Sequence, residues 1–254
     1  MSEETKTADG EEALEETTLL SHLVELRGRL LKIAAAVLLV FLVLMPWARK
    51  IFSLVSEPLR EVLPGNAMIA TAVASPFLTP FKLTFFVALF IAMPIVLYQV
   101  WAFVAPGLYM KEKRFAMPLL ASSIVLFYLG IAFAYYVVFP LVFGFFTAVA
   151  PEGVEVQTDI SLFLDFITTI VFAFGLAFEV PVATVLVVWT GLTTPEKLGR
   201  ARPYVFLGAF VLGMFLTPPD VISQTLLAVP IYLLYELGIL MARIFAPKKE
   251  DSGE

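Results

Sequence analysis

Between positions 115 and 151 the chain runs for 37 residues without a Lys, Arg, Asp or Glu. Seven further runs free of these residues lie at 33–48, 83–110, 166–178, 180–195, 203–219, 221–235 and 237–242. A helix crossing a bilayer needs about 20 predominantly apolar residues to cover roughly 30 Å of hydrocarbon. Runs of this length and number have no place in a soluble fold. Composition agrees: of 254 residues, 60% are hydrophobic and 15% charged, against about 45–50% and 25% in soluble domains. The mean hydropathy is +0.91. The fold class is an all-α polytopic membrane protein.

Glu179 and Glu236 each interrupt a run whose fragments are too short to cross alone, so each lies inside one span. The 115–151 run could hold two spans, but parity argues for one. Two would put the basic loops at 111–114 and 196–202 on opposite sides. The reading is therefore six transmembrane helices, near 30–48, 80–104, 115–148, 162–190, 203–217 and 221–243. With this topology thirteen Lys and Arg lie on the side of both termini and four (Arg49, Lys50, Arg60, Lys82) on the other. The excess marks the cytoplasmic side. The first span follows a long acidic leader and precedes no small-residue cleavage site, which argues against a signal peptide.

The fifth span is short. Thr217-Pro218-Pro219-Asp220 forms a tight external hairpin, because paired prolines cannot continue a helix. Prolines 46, 94, 118, 140, 181 and 230 fall in or near spans. Several bent helices suit a concave, glove-like shape. In the first external loop Ile51, Leu54, Val55 and Leu59 sit at near-helical spacing, which predicts a short surface helix. Ser75-Pro76 reads as a second helix start. No internal repeat is visible. Trp101 and Trp189 near inner helix ends, and Trp47 near an outer one, read as an interfacial belt.

Much chemistry is excluded. There is no Cys and a single His, His22, so disulfides, thiol nucleophiles and His-based metal sites drop out. No cofactor is implied, and no Walker A, GxGxxG, HExxH or GxSxG motif occurs. The net charge of −5 argues against a nucleic-acid partner. Residues 1–18 hold seven of the acids and one Lys, whereas the remaining chain holds sixteen basic and fifteen acidic residues. The acidity thus belongs to a leader, 1–18, expected to lack fixed structure. A single six-helix domain follows at 19–245, then a cytoplasmic tail at 246–254.

Against a basic inner face the few acids are conspicuous. In residues 21–29, SHLVELRGR, Leu19, Leu23, Leu26 and Leu30 form the apolar stripe of an amphipathic helix at the inner membrane surface. Glu25 lies on its polar side with Arg29 at i+4, an ordinary helical ion-pair spacing. Glu112 is a lone acid among Lys111, Lys113 and Arg114. Carboxylates are natural partners for an arginine-bearing ligand, since guanidinium binds them with two parallel hydrogen bonds that Lys cannot match. Each could equally be local charge balance. Glu179 inside the fourth span costs about 2.5–3.5 kcal/mol if charged at the bilayer centre, so a functional or a helix-pairing role is required. Met214 and Thr217, with Ser223, Gln224 and Thr225, form a mainly polar cluster at the outer end of the last two spans. It reads as hairpin capping or as a helix-docking site.

Five stretches carry a resemblance: 21–29 (SHLVELRGR), 68–77 (MIATAVASPF), 98–114 (YQVWAFVAPGLYMKEKR), 174–181 (FGLAFEVP) and 215–224 (FLTPPDVISQ). The chain resembles TatC, the multispanning subunit of the twin-arginine translocase, from about 19 to 245. The resemblance implies a receptor for the twin-arginine signal peptides of folded cargo. It implies assembly with single-span TatA- and TatB-type partners and a homo-oligomer within the receptor complex, driven by the proton-motive force in a bacterial inner membrane. It implies no enzyme activity. By resemblance, Glu25, Arg27, Phe103 and Glu112 form the signal-peptide site and Glu179 lies on the concave face. Met214, Thr217 and Gln224 dock a partner helix, and Pro58 and Asp220 are sensitive positions. The alternative from another class is a proton-coupled small-solute transporter using Glu179. That reading wants a second intramembrane charge or a pair of broken helices near the midplane.

Overall fold

Helices in lipid gain little from burying apolar surface against one another, so close approach and polar links decide their packing. The structure, a computed structural model, describes residues 4–60, 68–104, 116–149, 158–216 and 221–245. Glu112, Thr217 and Asp220 lie outside the described residues.

Helix α1 (Glu4–Leu44) contains the first span. It begins within the acidic leader, where Glu, Ala and Leu are all good helix formers. A 3-10 turn at Met45–Trp47, with Pro46 near its start, redirects the chain into α2 (Ala48–Arg60), the surface helix the spacing predicted. Ile51 and Val55 are half-buried, whereas Leu54 is exposed. Pro58 falls in the last turns of α2. Helix α3 (Ser75–Val104) starts at the Ser75-Pro76 signal and continues through Pro80 and Pro94 as the second span.

The third span is not one uniform helix. Helix α4 (Ala116–Phe133) passes through a π turn at Ala134–Val138 into α5 (Phe139–Val149). Pro140 has no N–H to give to the preceding turn, and the wider turn accommodates it. The fourth span is also divided, into α6 (Ile160–Ala177) and α7 (Val180–Trp189). Pro181 cannot donate to the carbonyl of Ala177, so the helix breaks at Phe178 and Glu179. After the short α8 (Pro195–Arg200), α9 (Arg202–Leu216) forms the fifth span and α10 (Val221–Phe245) the sixth. With 15 residues, α9 is about 22 Å long at 1.5 Å per residue. Six spans and their order match the sequence reading.

The core lies among α4, α5, α6, α9 and α10, where Phe127, Phe139, Phe174, Ile170 and Leu227 are fully buried. Glycines permit the closest crossing. A Cβ on Gly130 of α4 would stand 2.5 Å from the Phe174 carbonyl oxygen of α6, and one on Gly175 would stand 2.7 Å from the Phe127 ring. Each glycine thus admits the neighbour's backbone or ring.

Outside the spans, β1 (Met68–Ile69) and β2 (Thr158–Asp159) pair in parallel. Asp159 caps α6 by accepting from the N–H groups of Ser161 at 2.8 Å and Leu162 at 3.2 Å. It also accepts from the Thr71 N–H at 2.8 Å and hydroxyl at 2.6 Å. One carboxylate therefore ties the first external loop to the second. Ser161 adds hydrogen bonds to Ser75 at 2.9 Å and Thr79 at 3.3 Å.

Candidate functional site

At the inner end, α1 lies along α3. Leu23, Leu26 and Leu30 are exposed on the lipid-facing stripe, and Glu25 and Arg29 are part-buried on the side of α3. Arg29 donates to Glu25 Oε1 from Nε at 3.0 Å and from Nη2 at 2.5 Å. The same guanidinium crosses to α3, donating to the Ala102 carbonyl at 3.0 Å and to Gln99 Oε1 at 3.5 Å. Ala102 lies in the last turn of α3, where carbonyls lack intrahelical partners and carry partial negative charge. Arg29 therefore caps α3 and ties Glu25 to the end of that helix, where Phe103 is half-buried. Arg27 does not join them. It lies about 200° around the helix from Glu25 and is exposed. The i+4 spacing revealed the Glu25–Arg29 pair, but nothing in the sequence announced its reach to α3.

Of the other scarce inner acids, Glu196 opens α8 and is already engaged. Its own N–H and the Thr194 hydroxyl, with Arg243 and Arg200 nearby, hold its carboxyl below the ordinary value.

Glu179, at the α6–α7 break, is met by α4. The Ser123 hydroxyl donates to Glu179 Oε2, and Trp101 of α3 donates to Ser123 Oγ at 3.4 Å. Glu179 Oε1 is buried with no hydrogen-bond partner among the described residues. Trp101 and Trp189 are buried and hydrogen-bonded, the latter to the Phe245 carbonyl at 2.9 Å. They are packing residues and not the interfacial belt that their position suggested; Trp47 is exposed as expected. Ser123 was missed, because one Ser in a long apolar run carries no signal of its own.

An apolar groove of about 570 Å³ opens between α3, α6, α9 and α10, lined by Phe86, Phe172, Leu212, Leu216 and Ile231 with Thr168 and Thr169. Ala177 and Val180, on either side of the Glu179 break, also line it. At the outer end of α9 and α10, Gln224 donates to the Phe210 carbonyl at 2.7 Å, over Gly213, where a Cβ would stand 3.0 Å from the Gln224 side chain. Met214 is exposed nearby. Thr225 bonds back to the Val221 carbonyl at 2.6 Å. At the inner end, Arg202 of α9 grips Glu236 of α10 with two bonds of 2.7 Å, and Tyr232 donates to Glu236 at 2.9 Å. The sequence placed Glu236 inside a span and gave no sign of its pairing with Arg202.

Comparison with known proteins gives one answer. The sequence model of the family described as "Sec-independent protein translocase protein (TatC)" matches residues 21–230. The chain is 61% identical over 235 residues to the Sec-independent protein translocase protein TatC of Azotobacter chroococcum mcd 1, covering 92% of each. It is 56% identical over 237 residues to TatC of Escherichia coli K12, covering 93% of this chain and 92% of that one. Among solved structures, a crystal structure of the twin arginine translocase receptor TatC superposes with a TM-score of 0.79 at 35% identity, covering 88% of this chain and 98% of that one. The chain belongs to the TatC family of Sec-independent protein translocase proteins, which are multi-pass proteins of the bacterial inner membrane.

Proposed function

We propose that this chain is the receptor subunit that binds the twin-arginine signal peptide of folded cargo at its inner face. The observation that carries the reading is the Glu25 carboxylate, held by Arg29 at the end of α3. From there the chain enters the loop bearing Glu112. Two arginines require two acceptors, and Glu196 is engaged at its own helix start. Glu25 and Glu112 are then the pair that takes the two guanidiniums, with Phe103 packing beside them. Binding of two carboxylates to two guanidiniums is charge-assisted and bidentate, which favours Arg over Lys.

TatA- and TatB-type single-span proteins are the partners in this reading. Their helices dock at the outer end of α9 and α10 through Met214, Thr217 and Gln224. The exposure of Met214 supports this. The short α9 thins the bilayer locally beside the path. Cargo movement draws on the proton-motive force. Family membership speaks for a translocase component and against the solute-transporter alternative.

The test is export of a twin-arginine reporter in bacteria lacking their own TatC and supplied with this chain. Wild type restores export, and Glu112→Ala or Glu25→Ala abolishes it while the protein still accumulates in the membrane. Full export by both variants would remove the reading.

A further inference from the structure

Lys82 of α3 and Asp165 of α6 pair across two spans, with side chains 51% and 49% exposed. Lys82 lies one turn before Phe86 on α3, and Asp165 one turn before Thr168 and Thr169 on α6. Residues three and four apart share a helix face, so the pair stands at the mouth of the apolar groove that Phe86, Thr168 and Thr169 line. Thr168 turns its hydroxyl back to the Leu164 carbonyl of its own helix at 2.8 Å, which keeps that wall apolar. The mouth is also close to the membrane surface. Lys82 is seven residues into α3 and Asp165 five into α6, about 10 and 8 Å along at 1.5 Å per residue. From Thr168 to Ala177 the groove follows α6 for nine residues, about 14 Å. That is close to half of the roughly 30 Å hydrocarbon core, the depth of one leaflet. A spanning helix needs the whole thickness, whereas an acyl chain needs half.

We propose that the groove is a site for a phospholipid with a zwitterionic primary-amine headgroup, of the phosphatidylethanolamine class. One acyl chain fills the groove, the phosphate meets Lys82 and the ammonium meets Asp165. The chain ends against Ala177 and Val180, on either side of the Glu179 break. The contact between Lys82 and Asp165 runs from Nζ to Oδ1, so N–H donors on Lys82 and Oδ2 of Asp165 remain for a ligand. The pair is neutral as a whole. A neutral headgroup with one phosphate and one ammonium adds an opposite charge to each member. An anionic headgroup offers Asp165 no partner and sets its phosphate beside a carboxylate. A choline headgroup carries its positive charge on methylated nitrogen and has no N–H to donate, so it forms no charge-assisted hydrogen bond. A lone Lys at the membrane surface favours anionic lipid; Asp165 beside Lys82 reverses that order.

The experiment is native mass spectrometry of the full-length protein in detergent, titrated with phosphatidylethanolamine, phosphatidylcholine and phosphatidylglycerol of the same acyl chains. Wild type holds phosphatidylethanolamine about tenfold more tightly than either other lipid, as one added charge-assisted contact allows. Asp165→Asn brings phosphatidylethanolamine down to the level of phosphatidylcholine and raises phosphatidylglycerol. Lys82→Gln weakens all three, which share the phosphate. Both side chains are half exposed, so neither change is expected to unfold the protein, and the thermal midpoint without added lipid checks this. Ala173→Phe, which fills the groove, weakens all three lipids. Phosphatidylglycerol held as tightly as phosphatidylethanolamine by wild type would reduce Lys82 to a surface charge and overturn the proposal. Lipid binding unchanged in a folded Ala173→Phe would overturn it too, by putting the lipid outside the groove. If that variant weakens binding of a signal peptide and not of lipid, the groove belongs to the peptide. Should Ala173→Phe fail to fold, the order of the three headgroups in Asp165→Asn decides, and an order unchanged from wild type overturns the site.

Discussion

Ser123 on α4 donates its hydroxyl to the carboxyl group of Glu179, across the point where the fourth span breaks. Trp101 donates to the same hydroxyl from α3, so three spans converge on one acid. Ser123 is itself buried at 1% exposure. Removing one partner of a buried polar pair costs about 1–3 kcal/mol, whereas replacing both by apolar groups can be nearly neutral. Ser123→Ala is therefore expected to lower the thermal midpoint in detergent, and Ser123→Ala combined with Glu179→Leu to recover most of that loss. Transport distinguishes the roles: the double variant stays folded and fails to export a reporter if Glu179 acts in transport. A double variant less stable than the sum of the two single ones would contradict the pairing.

Acid should loosen the outer face through Asp159. The Thr71 hydroxyl, then the Thr71 N–H and the N–H groups of Ser161 and Leu162, hold its carboxyl down from 3.8 to about 2. A carboxyl with a lowered folded value contributes stability above its unfolded value, and that contribution fades as pH falls through the folded one. The thermal midpoints of wild type and Asp159→Asn should differ by a constant amount above about pH 4, then converge between the unfolded 3.8 and the folded value of about 2. A difference that persists at the acid end would show that Asp159 does not act through this cap.

At Gly130 the crossing of α4 and α6 leaves no space for a side chain, because a Cβ would meet the Phe174 carbonyl. Gly130→Ala is expected to cost about 1–3 kcal/mol, as overpacking does, and Gly130→Leu more. Gly144, where a Cβ would meet nothing within 4 Å, serves as the control. Comparable thermal midpoints for Gly130→Ala and Gly144→Ala would contradict the close crossing.

Among the described residues two ion pairs join helices, and they should behave differently. Arg202 and Glu236 share two bonds of 2.7 Å, with Tyr232 on the same carboxylate. Lys82 and Asp165 make a single contact, each about half exposed. Exposed single pairs contribute about 0–1 kcal/mol. Arg202→Lys should therefore lower the thermal midpoint clearly, because Lys cannot reproduce the fork, and Lys82→Gln should leave it within about a degree. Equal effects would show that geometry does not set the strength of these links.

The number of spans and their order were legible because runs without charge are properties of the chain alone. The α2 surface helix and the α3 start at Ser75 were legible for the same reason, through local spacing. What spans did internally was less so. Pro181 and Pro140 signalled disturbance, but whether a proline bends a helix, widens it or breaks it depends on neighbours that can accommodate the freed carbonyl. The residues with scarce charges, Glu25 and Glu179, stood out by their cost in lipid or their rarity on a basic face. Their partners did not. Ser123, Gln99 and Ala102 are ordinary residues made significant only by helix packing. Trp101 and Trp189 misled because position near a helix end looks the same whether the ring faces lipid or core.

The arginine-binding role of Glu25 and Glu112 is tested by the affinity of a twin-arginine signal peptide for the full-length protein in nanodiscs, compared across wild type, Glu25→Gln, Glu112→Gln and the double variant. Each charge-assisted contact is worth about 1.5–3 kcal/mol, so each single variant should bind roughly tenfold or more weakly, and the double variant should not distinguish Arg-Arg from Lys-Lys. Wild-type affinity in both single variants would contradict it.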